Sequence, residues 1–88
     1  MNEEPHLIFG VHITNRATQV PNVQHLLSEY GCNIKTRIGL HRVDQQFCSP
    51  RGLIVLEMFG DLKTCRELAA KLNALEGIEV KEMLFEHP

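Results

Sequence analysis

The residues best suited to chemistry are His41 and Cys48, both within IGLHRVDQQFCSPRG, residues 38–52. Imidazole and thiolate are ligands of zinc- and nickel-type centres, and a strand end followed by a long connection is able to fold the two toward each other. Two ligands fall short of the four that structural zinc takes. A two-fold axis would double them, and His12 is a candidate third ligand. No CxxC or HxH spacing supports the pair. Beside the metal reading stands a plainer one, a solvated histidine at a strand end and a cysteine packed under its loop.

A second candidate is TNRATQVPN, residues 14–22. Backbone N–H groups at a helix start can hold an anion, with Asn15 and Arg16 assisting. The segment lacks the glycines of a phosphate-cradling loop, and Thr18 as a helix cap beside a solvated Arg16 accounts for the same residues. Arg37 stands in mid-strand. Its natural partner is Glu57 across the strands, and the alternative is an acidic ligand or a partner chain. No nucleophile has a base at motif spacing, and no paired carboxylates or Gly-Ser elbow occur, so the sequence reads as non-catalytic.

These residues sit in 88 positions, the length of one domain. The formal net charge is −2, without a Lys/Arg cluster, which argues against direct nucleic-acid binding. The acidic start MNEEPH does not resemble a signal peptide, and no apolar run reaches the ~20 residues of a membrane span. The expectation is a cytoplasmic protein with no membrane segment. Its three cysteines, Cys32, Cys48 and Cys65, are expected to be reduced thiols rather than a disulfide framework.

The elements that position these residues follow from period. Residues 6–14 alternate as a strand, and residues 18–30 carry an apolar stripe at helical spacing (Val20, Val23, Leu26 or Leu27, Tyr30). Pro21 fits the first turn of that helix, and Gly31 a left-handed cap at its end. Residues 33–43 alternate again, with Ile34, Thr36, Ile38 and Leu40 opposite Lys35, Arg37, Gly39 and His41. A third strand, GLIVLEMFG, precedes a helix capped by Asp61 with the stripe Leu62, Cys65, Leu68, Ala69, Leu72 and Leu75, stopped by Gly77. A last strand runs over 78–85. The order βαββαβ, with right-handed crossovers, predicts a ferredoxin-like α+β sandwich: four antiparallel strands with both helices on one face.

The other face would then be bare. Alternation assigns it Ile8, Gly10 and His12, then Leu53, Val55 and Glu57, then Glu79, Lys81, Met83 and Phe85, with Lys35, Arg37, Gly39 and His41 from the second strand. Ile8, Leu53 and Val55 form an apolar centre, which predicts a homo-oligomer, dimer or tetramer, meeting through Ile8, His12, Leu53, Val55 and Glu57.

The segments NRATQVPNVQHLLSEYGCNIKTRIGL, GLIVLEMFGD and LNALEGIEVKEMLF resemble the small proteins described as iron-only hydrogenase system regulators. The most specific pieces are Arg37-Ile38-Gly39 and LEGIEVK, and the similarity runs over about residues 7–85. The resemblance implies a fold related to ACT domains and to the nickel-sensing domain of the nickel-responsive repressor. Where ACT domains carry an Asp-x-Pro-Gly-like turn, this chain has Asn15-Arg16-Ala17-Thr18, while GCNI at 31–34 is similar to their second-strand entry. The repressor's ligands are strand histidines and a cysteine, which His41 and Cys48 match in part; Val43 stands where its His-x-His pattern would continue. The repressor's ribbon–helix–helix segment has no counterpart, so a regulator of this build is expected to act through a protein partner or by sensing.

Three functional expectations result. The first is an ACT-like regulatory or sensing module, binding a small molecule or protein partner near residues 15–18 and 44–51, with Asn15, Arg16, Thr18, Arg37 and His41 as candidate ligand contacts. The second is a nickel or zinc module with His41 and Cys48 at a subunit interface. The third is an assembly protein with no ligand.

Overall fold

The computed structural model describes residues 5–14, 16–40 and 52–86, and within these the side chains of all but 16–18 and 40. The elements follow in order: β1 (His6–Ile13), α1 (Arg16–Glu29), a 3-10 turn (Gly31–Asn33), β2 (Ile34–Leu40), β3 (Gly52–Met58), α2 (Leu62–Asn73) and β4 (Ile78–Phe85). The strands make one antiparallel sheet in the order β2-β3-β1-β4. Each helix joins two strands that are consecutive in sequence but separated by one strand in the sheet, and right-handed crossovers put both helices on the same side. This is the ferredoxin-like α+β architecture that the changes of period predict.

Apolar burial holds the layers together. Leu7, Phe9, Val11 and Ile13 of β1 and Leu56 and Met58 of β3 are buried beneath Val23 and Leu27 of α1, Tyr30 just after it, and Cys65, Leu68 and Leu72 of α2. Truncating a side chain such as Leu68 in a core of this kind costs about 2–5 kcal/mol, because the lost transfer energy is joined by a cavity. Asp61 caps α2 by accepting from the Thr64 N–H at 3.1 Å, which satisfies one of the donors a helix start leaves free. Asn33 ties the entry of β2 to the exit of β3. Its carbonyl accepts from the Phe59 N–H at 2.7 Å, and its side-chain Nδ2 donates to the Phe59 carbonyl at 3.0 Å.

Helix ends depart from the sequence reading. α1 begins at Arg16, which makes Thr18 its third residue rather than its cap and puts Pro21 sixth, inside the helix. Gly31 does not adopt positive φ; it opens the 3-10 turn. α2 closes at Asn73 with Ala74 as its cap, and Gly77 at φ +80° turns the chain afterwards into β4. That turn is held by the Thr14 N–H donating to the Gly77 carbonyl at 2.8 Å.

Candidate functional site: the open face of the sheet

The strand registers fix which side chains share the helix-free face. Ile8 lies opposite Glu57, Gly10 opposite Val55 and His12 opposite Leu53. On the other side of β1 the same residues meet Met83, Lys81 and Glu79, and His6 meets Phe85. The neighbours Leu7, Phe9, Val11 and Ile13 are the buried ones, so this set faces away from the helices. The expected residues Ile8, His12, Leu53, Val55 and Glu57 all fall on this face.

β2 departs from expectation. Its ladder with β3 is irregular between Ile34 and Thr36, and beyond that point Thr36 pairs with Glu57, Ile38 with Val55 and Leu40 with Leu53. One extra residue in a strand reverses the face of everything after it. Thr36 and Ile38 therefore join the open face, while Arg37 and Gly39 turn to the helix side, opposite Leu56 and Ile54. The expected ion pair of Arg37 with Glu57 does not form. Arg37 Nη2 instead donates to Gln24 Oε1 on α1 at 2.9 Å. A polar side chain is tolerated there because β2 is the sheet's edge, beyond full cover by α1. A Cβ placed on Gly39 would meet nothing within 4 Å.

The face resolves into three rows running toward β4: Leu53, His12, Glu79; Ile38, Val55, Gly10, Lys81; and Thr36, Glu57, Ile8, Met83. Its apolar residues form a diagonal band from Leu53 and Ile38 through Val55 and Ile8 to Met83 and Phe85. Ile38 (51% exposed), Met83 (54%) and Phe85 (50%) are three of the four large hydrophobic side chains most open to solvent among the described residues. The fourth, Phe59, immediately follows β3. Gly10 presents no side chain at the centre, where a Cβ would meet nothing within 4 Å.

Two polar corners flank the band. At one, Glu57 accepts from Thr36 Oγ1 at 2.9 Å, pairs with His6 Nε2 at 2.7 Å and has Lys35 Nζ at 3.9 Å. The His6 hydrogen bond foremost, then that of Thr36, holds the Glu57 carboxyl below the usual carboxylate range. At the other corner stand His12, Glu79 and Lys81, with Lys81 Nζ 3.7 Å from Glu79. Periodicity alone missed Thr36 and Ile38 on this face, and missed His6 as the partner of Glu57.

The remaining candidates are distributed differently. Asn15, His41 and Cys48 lie outside the described residues, and of Arg16 and Thr18 only the helical backbone is described. Among the described residues, no group of three or more His, Cys, Asp or Glu side chains is placed to hold a metal ion. Cys32 is exposed and Cys65 buried, both as free thiols, and burial raises the Cys65 thiol's pKa. The strand ends do bring the two candidate loops to one end of the sheet, since Ile13 is opposite Gly52 and Leu40 opposite Leu53. Arg37 is not at that end. With Leu27, Gly31, Ile34 and Lys35 it lines an open groove of about 240 Å³ along the outer side of β2.

No family model matches this chain, and no curated protein matches it. Among solved structures it is similar to an uncharacterized protein from Thermotoga maritima, with 24% identity, 92% of this chain and 98% of that one covered, and a TM-score of 0.77. That likeness extends to the fold. Among the described residues no helix is long and apolar enough to cross a membrane.

Proposed function

We propose that this chain is a non-catalytic regulatory module of the cytoplasm that works as a homo-oligomer, its copies meeting through the open face of the sheet. The observation that carries this reading is the apolar diagonal of Ile38, Val55, Ile8, Met83 and Phe85 on a face that neither helix covers. Contiguous apolar surface of this kind is costly to leave in water and marks contact with another chain. Four strands about 4.8 Å apart and about seven residues long cover roughly 450 Å² in projection, and side-chain relief adds to that. Two such faces approach the roughly 1,000 Å² that separates a specific interface from an incidental one. The regulatory part of the reading rests on the resemblance to the hydrogenase system regulators. A small ligand or a protein partner would bind where the β1–α1 link and the β2–β3 connection leave the same end of the sheet.

Sedimentation velocity tests the assembly. We expect an oligomer at micromolar concentration, and a monomer for Val55→Glu, which adds a charge to the centre of the face while leaving the helix-side core intact. A monomeric wild-type protein at that concentration defeats the reading. A thermal-shift screen with amino acids, nucleotides and divalent ions tests the sensing part, because a ligand at 100 times its Kd adds about 2.7 kcal/mol.

A further inference from the structure

Given the self-association proposed above, the layout of charge on the face selects how one copy meets the other. Two flat faces with a diagonal apolar band can stack band on band about two in-plane two-fold axes, one running along the band and one across it. The axis across the band lays each polar corner on its own copy, with Glu57 against Glu57 and Lys81 against Lys81. Like charges brought together in a desolvated contact are strongly disfavoured. The axis along the band exchanges the corners. With strands about 4.8 Å apart and about 6.7 Å between successive residues on one face, turning the face over this axis lays the position of Glu57 within roughly 3 Å, in projection, of the position of Lys81 in the other copy. Lys35 and Glu79 then flank that pair, again with opposite signs.

We propose that the partner of the open face is a second copy of this chain, docked about a two-fold axis along the apolar band, with Glu57 of each copy facing Lys81 of the other. The sites of this pairing are available. Lys81 has an 81% exposed side chain, and its neighbour Glu79 at 3.7 Å is 64% exposed. Glu57, 25% exposed, is aimed and kept ionised by His6 and Thr36. Gly10, without a side chain and between Val55 and Lys81 in the register, leaves room at the centre for an apolar side chain from the facing sheet.

Charge reversal in two chains tests this. Glu57→Lys and Lys81→Glu each place like charges across both symmetric pairs of their own homodimer. An equimolar mixture of the two variants restores opposite signs at both pairs. By sedimentation, each variant alone is expected to self-associate at least about tenfold more weakly than wild type, and the mixture to recover affinity to within about threefold. Circular dichroism melts at low concentration confirm that both variants fold. If wild type associates but the single reversals do not weaken it, or the mixture gains nothing, the docking geometry is wrong while self-association stands. If wild type is a monomer, both readings fall together.

Discussion

Glu57 is a carboxylate set beside an apolar band, and its neighbours decide its state. Hydrogen bonds from His6 and Thr36 and the charge of Lys35 favour the ionised form over the partial desolvation that opposes it. A carboxyl whose pKa is lower folded than unfolded contributes stability that is present above its unfolded value and lost as pH falls through its folded value. Glu57→Gln should therefore flatten the acid side of the stability profile, measured as denaturation midpoint against pH. His6→Ala should raise the Glu57 pKa, followed by carboxyl NMR shifts. Arg37→Ala discriminates the two positions of that arginine: with its guanidinium on Gln24, the Glu57 titration should stay unchanged and stability should fall by less than about 1 kcal/mol. An Arg37–Glu57 pair would instead shift that titration.

At the scale of elements, strands and helices announce themselves through period, but their ends and irregularities do not. The α2 stripe is legible because Cys65, Leu68 and Leu72 recur at three- and four-residue spacing and all three are buried. The β2 irregularity is not, because IKTRIGL keeps one unbroken alternation, with Ile34, Thr36, Ile38 and Leu40 in a single phase, and only the pairing with β3 shows that the face changes after Ile34. That one shift moved Ile38 to the candidate interface and Arg37 off it. At residues 41–51 the expected His41–Cys48 centre lies outside the described residues. Helix ends are subtler still. Pro21, sixth in α1, lacks the N–H its position would use and crowds the carbonyl of the preceding turn. Pro21→Ala should raise stability by on the order of 1 kcal/mol, the gain being reduced by the freedom alanine returns to the unfolded chain. Gly77→Ala should do the reverse by about 1–2 kcal/mol, since a side chain at φ +80° is strained although its Cβ would sit an ordinary 3.6 Å from Thr14 Cβ. Chemical denaturation measures both.

At the scale of the whole molecule, the sandwich is one layer short. The helices cover one side of the sheet, and a chain of 88 residues has a limited core from which to draw stability. A second copy on the open face would supply the missing layer, and folding would then be linked to association by mass action. The linkage has a measurable size. Unfolding a dimer to two chains adds about 1.4 kcal/mol of stability for each tenfold rise in concentration. Spread over an unfolding entropy of about 2.1 cal/mol/K per residue in both chains, this moves the thermal midpoint by roughly 4 °C per decade. The wild-type Tm should climb at that rate across the concentrations where sedimentation finds the oligomer. Val55→Glu should melt at one temperature throughout, matching wild type at its most dilute, because the substitution lies on the solvent side of β3 and leaves Leu56 and Met58 in place beneath the helices. A wild-type midpoint independent of concentration would show that the open face contributes nothing to folding stability.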